Sequence, residues 1–378
     1  MPARGDAVTE DGMKALALVE ARNHVCCRYR IRAFQPALEA AGWTLAIEPL
    51  GPGVLSRAIQ FHRGRQFDAV ILQRKLLPWW QLRELRARAR WLIFDFDDAV
   101  LYRDSYDVRG PHHRRRAERF RTTVQVADQV IAGNSFLAAC AIEAGAEPDR
   151  VRVIPTCIDA RSARPAEPGE PRAGLELVWI GSASTLAGLE LRRPLWERIG
   201  REVPGARLRM VCDRFLRFDA LPVVEVPWSE ATEGADVASA DVGVSWVPDD
   251  LWSRGKCGLK VLQYQAAGLP VVANPVGVHP EMIDPGVSGF LASSDDDWVD
   301  ALQRLASDLE LRHRMGRAAR RSLEARYSVE IWSPAFVAAV SGARPLADLE
   351  PRARRRPGRS SVSNHSPQPR PLARSSDD

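Results

Sequence analysis

No apolar run in this 378-residue chain approaches the ~18 residues that a membrane-spanning helix needs. The first residues are polar, and Leu16-Ala17-Leu18-Val19 is too short for the apolar region of a secretory leader, so export by a leader is not expected. Cysteine is sparse and shows no Cys-x-x-Cys pair. Cys26, Cys27, Cys140, Cys157, Cys212 and Cys257 are scattered, which argues against a disulfide framework or a zinc site and for reduced thiols in a cytoplasmic protein. Lysine is scarcer still: Lys14, Lys75, Lys256 and Lys260 are the only four among 53 basic residues. With arginine so abundant, each arginine is weak evidence of function and each lysine draws more attention. The net charge of +5 is itself uneven, because residues 343–378 hold eight Arg against four acidic residues. The remaining body is near neutral, which argues against a nucleic-acid partner.

What is present is the composition of a globular protein, 45% hydrophobic and 27% charged, in a chain too long for one ordinary core. Short apolar runs alternate with amphipathic stretches. Ala15–Val19, Trp43–Ile47, Phe67–Leu72, Trp91–Phe94, Gln129–Ala132 and Val151–Ile154 read as strands. Ile31, Phe34, Leu38 and Ala41 fall at helical spacing ahead of Gly42, and Pro78 and Pro111 open further helices. Residues 160–174 are rich in Pro, Gly, Arg and Glu and read as a linker. The pattern then restarts, with strands Leu175–Ile180, Leu208–Val211, Val223–Val226, Asp241–Ser245 and Pro270–Ala273 and helices between and after them. This alternation predicts two doubly wound α/β domains with parallel sheets. We place a flexible N-terminus at 1–13, one domain at 14–159, the linker at 160–174, a second domain at 175–328 and a closing helix at 329–342. A disordered Arg/Pro/Ser-rich tail is expected at 343–378. Two such domains facing one another form a cleft outside the carboxyl ends of their strands.

The most informative stretch runs from Trp252 to Gly277, WSRGKCGLKVLQYQAAGLPVVANPVG. A glycine-containing loop with Arg254 and Lys256 leads into a helix starting near Gly258, with Lys260 in its first turn. Exposed amides and the helix dipole make such a start a site for anions. Gln263, three residues after Lys260, shares its face.

This stretch, with Glu281–Leu291 behind it, resembles the donor-binding segment of family-4 retaining glycosyltransferases of the GT-B fold. Asp308–Arg320 and Arg326-Tyr-Ser328 resemble the C-terminal helices of that family. Arg28–Arg32, Val70–Arg74, Phe94–Ala99 and Ala127–Asn134 fit some members more loosely. The resemblance covers about residues 14–341. It implies transfer of a sugar from a nucleotide-sugar to a glycan, lipid-linked or small-molecule acceptor, with retention of configuration and without a metal or other cofactor. The first domain would bind acceptor and the second donor. The implied catalytic residues are Lys260, Lys256 and Asp98. Donor contacts would come from Gly181, Ser182, Arg254, Gly258, Leu259 and Gln263, and acceptor-side contacts from Arg28, Arg30 and Asp97. The chain departs from the family at two positions. Two glutamates with seven residues between them are usual, and here Gly255 and Gln263 stand in their places. The usual Arg and Lys after the first strand of the donor domain are also missing. The loop there is Gly181-Ser-Ala-Ser-Thr185, suited to meet a phosphate through amides and hydroxyls. These departures keep open a catalytically weak GT-B partner protein of a glycan-assembly complex, and a nucleotide-sugar epimerase of the same architecture.

Other motifs carry more than one reading. Asp95-Phe96-Asp97-Asp98 could be a metal-binding D-x-D, a phosphatase aspartate pair, a cleft-facing turn or a turn capped by its own carboxylates. Trp79-Trp80 with Arg83, Arg86, Arg88 and Arg90, and Arg114–Arg116 with Arg119 and Arg121, form either a surface for anionic lipid or ordinary amphipathic helices. The first would put a cytoplasmic protein at the inner face of the membrane. His112-His113 lacks further ligands for a metal, and Trp228 either flanks a base or packs in the core.

Overall fold

The computed structural model describes residues 12–161 and 174–342. The tail expected at 343–378, and nearly all of the N-terminus 1–13 and of the linker 160–174, lie outside the described residues. Two six-stranded sheets form, and every strand pairing in them is parallel. The first contains β1 (Met13–Val19), β2 (Trp43–Pro49), β3 (Ala69–Gln73), β4 (Leu92–Phe96), β5 (Gln129–Ala132) and β6 (Val151–Val153), in the order β2-β1-β3-β4-β5-β6. The second contains β7 (Glu176–Ile180), β8 (Arg207–Cys212), β9 (Val223–Pro227), β10 (Val242–Ser245), β11 (Val271–Ala273) and β12 (Gly289–Leu291), in the order β12-β11-β10-β7-β8-β9. This is the GT-B fold. The direction of winding reverses between β1 and β3 in one lobe and between β7 and β10 in the other. A ligand crevice belongs at the carboxyl ends of those strand pairs.

Successive side chains of a strand point to opposite faces, and both faces are buried here. On β1, Leu16 and Leu18 join one apolar cluster while Ala15, Ala17 and Val19 join another. On β7, Leu177 and Trp179 face one cluster and Val178 and Ile180 the other. The continuous apolar runs read as strands above are this two-sided burial.

The helical reading around Ile31–Ala41 needs correction. The segment is two short helices, Val25–Arg30 and Gln35–Ala40, joined by a 3-10 turn at Arg32–Phe34. Pro36 lacks the amide an uninterrupted helix would use and starts the second piece instead. Helices Val54–Arg63 and Ser135–Glu143 were not expected. The second is capped by Asn134, whose side chain accepts from the Leu137 amide at 2.8 Å. Helix Val329–Val340 packs against the first lobe, with Phe336 stacked on Phe34 at 4.4 Å and Trp91 Nε1 donating to the Ala339 carbonyl at 3.0 Å.

Arg30 and Asp95 form a fully buried ion pair, Nη2 to Oδ1 at 2.5 Å, and Arg30 Nη1 also donates to the Ile154 carbonyl at 2.5 Å. Burial pushes the Asp95 carboxyl up, and the guanidinium opposes this. The pair ties the helix after β1 to the end of β4. Asp95→Asn is expected to destabilise the fold by ~3–5 kcal/mol, because the arginine charge stays buried without its partner. Urea unfolding at neutral pH measures this, and an unchanged midpoint would show that the pair contributes nothing.

Candidate active site

The carboxyl ends of β7 and β10 and the start of helix Leu259–Ala266 meet at one place. Gly258 caps this helix with φ +66°, and a Cβ there would press on Met282, so glycine suits both its conformation and its space. No side chain caps the helix start. Lys260, in the first turn, lies over the Trp179 ring of β7, its Nζ 4.8 Å from the centroid. Lys256 Nζ sits 5.5 Å from the Trp252 ring. Among the described residues neither lysine forms an ion pair. Burial, reinforced by Lys256, pulls Lys260 down to about 7. His279 lies close behind, buried, with Nε2 3.3 Å from Ser245 Oγ and Nδ1 2.8 Å from the Asn274 carbonyl oxygen. Burial lowers it to about 4, so at neutral pH it is uncharged. The site is therefore a helix start with two lysines, neither of which forms an ion pair among the described residues.

The other lobe supplies the facing wall. Arg74 follows β3 and is the one non-glycine residue with positive φ among the described residues, at +58°. Such a backbone is strained and is held by what the side chain does. Arg74 Nη2 donates to Asp98 Oδ2 at 2.6 Å, and its Nε lies 3.5 Å from Asp97 Oδ1. It also contacts Cys26 Sγ. Burial raises the Asp98 carboxyl, and Lys256 across the cleft and Arg74 oppose the rise. Lys256 thus has Asp98 of the other lobe on one side and Lys260 of its own lobe on the other as interacting charges.

The loop between Trp252 and Gly258 is strapped to the first lobe. Asn134 Nδ2 donates to the carbonyls of Lys256 and Arg254 at 3.2 and 3.3 Å, and Cys257 Sγ donates to the Asp97 carbonyl at 3.2 Å. Gly255 lies so close to Ala99 that a Cβ would come within 2.6 Å of the Ala99 Cβ and 2.8 Å of its backbone nitrogen.

Several expected residues sit elsewhere. Arg30 is 1% exposed and tied to Asp95, so it does not face an acceptor. Asp95 is likewise committed to Arg30, which removes it from a D-x-D pair opening on the cleft. Arg28 reaches the second lobe, with Nη2 2.6 Å from Glu233 Oε1 and Nε 3.1 Å from Glu230 Oε1. Arg254 is exposed and paired with Asp249 at 2.9 Å. Asp250 caps a short helix at Ser253 and accepts from Ser105. In the loop after β7, the Ser182 amide donates to Thr185 Oγ1 at 3.2 Å and the Ala183 amide to Asp213 at 2.7 Å. Those two amides are occupied within the loop.

Glu233 was missed. It is 8% exposed and accepts from Arg28, from Tyr29 OH at 2.8 Å and from Trp228 Nε1 at 2.8 Å. Gln263 Nε2 donates to the same Tyr29 oxygen at 3.4 Å. A carboxylate from another helix is thus linked to Gln263 through the Tyr29 hydroxyl. The spacing of Trp228 and Glu233 alone carries no signal for it.

Residues 251–322, which span this loop and helix, match the family described as Glycosyl transferases group 1. A D-inositol 3-phosphate glycosyltransferase of Frankia alni is 29% identical over 236 residues, 50% of this chain and 55% of that protein. Sulfoquinovosyl transferase SQD2 of Arabidopsis thaliana is 31% identical over 168 residues, 41% of this chain and 31% of that protein. The chain thus spans about half the length, or less, of these curated relatives. Among solved structures, Anabaena Alr3699/HepE in complex with UDP and glucose superposes with TM-score 0.62 at 15% identity, over 87% of this chain and 100% of that one. Sucrose-phosphate synthase of Thermosynechococcus elongatus gives 0.65 at 16% identity, over 86% and 97%. The likeness to these structures is one of fold. The 251–322 segment carries a glycosyl transferases group 1 domain within it.

Proposed function

We propose that this chain is a glycosyltransferase that moves a sugar from a nucleotide-sugar donor to a glycan, lipid-linked or small-molecule acceptor with retention of configuration. The observation that carries this reading is the pair Lys256 and Lys260, neither in an ion pair among the described residues, at an uncapped helix start beside the switch point of the second sheet. The donor diphosphate binds there, and its negative charge grows as the glycosidic bond breaks. Ammonium groups and helix amides stabilise that charge in a partly desolvated site. Asp98, across the cleft, meets the acceptor or the donor sugar and is kept in place by Arg74. No metal has a role in this scheme, so transfer is expected to survive EDTA. Activity lost to EDTA and restored by manganese would overturn that part.

The donor is to be found by thermal-shift measurements against UDP-, GDP-, ADP- and dTDP-sugars. UDP-sugars come first, because the HepE structures hold UDP and UDP-glucose. A ligand at a hundred times its Kd stabilises the fold by about 2.7 kcal/mol, which raises Tm by several degrees. No shift with any of them would reject the donor site. Gly255, closed against Ala99, favours a second reading, a catalytically weak partner protein. Turnover of the identified donor rules that out.

A further inference from the structure

In a parallel sheet, the helix that follows a strand begins at the carboxyl edge of the sheet. In the first lobe this is the edge that faces the cleft. Helix Val54–Arg63 begins there after β2, helix Trp79–Arg88 after β3, and the Asp97–His113 connection leaves β4 there. The two helix starts carry large apolar side chains open to solvent: Leu55 is 76% exposed, and Trp79 and Trp80 each 53%. Val54 and Ile59, beside Leu55 on its helix, are exposed as well. Arg57 Nη1 donates to Gln81 Oε1 at 3.1 Å, which sets the first of these helices against the second next to the tryptophans. Scattered single apolar residues are ordinary on a surface, but a grouped set is a contact site.

On the helices beside the tryptophans, basic residues far outnumber acidic ones. Helices Val54–Arg63, Trp79–Arg88 and Arg114–Val126 carry ten arginines against two glutamates. Arg119 Nη1 lies 3.4 Å from the Leu76 carbonyl, so the third helix borders the segment that leads to Trp79. Among the described residues Arg83, one turn from the tryptophans, and Arg115 form no ion pair. Tryptophan and aliphatic side chains bordered by arginines, some of them free of ion pairs, suit the boundary between acyl chains and anionic headgroups.

We infer that the carboxyl edge of the first lobe docks on an anionic lipid surface, seating Leu55, Ile59, Trp79 and Trp80 at the headgroup boundary. The docked edge is also the acceptor side of the cleft, so the acceptor class it favours is lipid-borne. That last step rests on the glycosyltransferase reading, whereas the docking itself does not.

The full chain is sedimented with phosphatidylcholine vesicles with and without phosphatidylglycerol, at low and high salt. Binding is expected only with phosphatidylglycerol, and weaker at high salt. Trp79→Ser with Trp80→Ser, and separately Arg83→Gln with Arg115→Gln, are each expected to weaken it about tenfold or more while Tm is kept. Absence of vesicle binding overturns the inference. So does charge-dependent binding indifferent to the two tryptophans, which would assign it to the arginines of 343–378. A dimer in light scattering that the tryptophan change dissolves would overturn it in favour of a second copy. A thermal shift with a nucleotide-sugar, measured without vesicles, tests the enzymatic reading separately.

Discussion

Lys260→Ala is expected to lower kcat by roughly tenfold to a thousandfold, the range for removing one electrostatic contact made chiefly in the transition state. The donor diphosphate gains charge as its bond to the sugar breaks, so the lysine matters more to kcat than to donor affinity. Lys260→Met keeps most of the stem over Trp179 and should fall by a similar factor. Arg254→Ala should be mild, since that arginine is exposed and already paired with Asp249. The fold offers a control with a definite sign. Lys260 sits at about 7 when folded, against about 10.4 for a free lysine, so below pH ~10 the unfolded chain holds the proton more readily. The contribution of Lys260 to stability is therefore most favourable above that range and declines as pH falls to about 7. Lys260→Met removes this cost and should melt no lower than the parent at neutral pH while losing activity. Near-parental turnover in both variants would take Lys260 out of the mechanism. Unfolding of both would make it structural.

The same lysine sets the pH dependence of donor binding. A diphosphate favours the protonated form, so binding at pH 8 should draw about one proton from buffer. Affinity should then fall as pH rises above about 7, by less in total than the loss of kcat in Lys260→Met. Calorimetry in buffers of different ionisation heat counts that proton. His279, lowered to about 4, does not titrate in this window.

The two sheets were legible because strands buried on both faces leave continuous apolar runs, as β3 and β7 do. Helix Val54–Arg63 was not. Phe61 is its one fully buried side chain, while Val54, Leu55 and Ile59 face solvent, so the usual apolar stripe points the wrong way. Local pattern was enough to place Lys256, Lys260 and Gly258 around one helix start, since a loop and the helix after it are contiguous in sequence. Partners from separate strands were not visible. Arg28 and Arg30 are two residues apart, yet one reaches Glu233 in the other lobe and the other is buried on Asp95. Periodicity says which face a residue takes but not what stands opposite. The same gap hid Glu233, which lies thirty residues from Gln263 in sequence and meets it through Tyr29.

Gly255→Glu, which installs a carboxylate usual in the family that this chain resembles, is expected to reduce both stability and activity. Glutamate must first place a Cβ, and that atom would sit 2.6 Å from the Ala99 Cβ and 2.8 Å from the Ala99 backbone nitrogen. Backbone does not yield as a side-chain tip does, so either the loop retreats or the lobes part. Retreat breaks the bonds from Asn134 to the Arg254 and Lys256 carbonyls and from Cys257 to the Asp97 carbonyl. Overpacking of this kind costs about 1–3 kcal/mol, and for a chain of this size that lowers Tm by several degrees. Gly255→Ala separates sterics from charge, because it adds the offending atom and nothing else. It should account for most of the loss in Tm. Ala99→Gly combined with Gly255→Glu should recover only part, since the backbone nitrogen remains. Any parting of the lobes also moves Asp98 away from Lys256, so kcat should fall in step with Tm. Parental Tm with faster turnover in Gly255→Glu would mean that the loop swings clear of Ala99 during the reaction, and that the glycine is a loss of function and not an adaptation to a close-packed cleft.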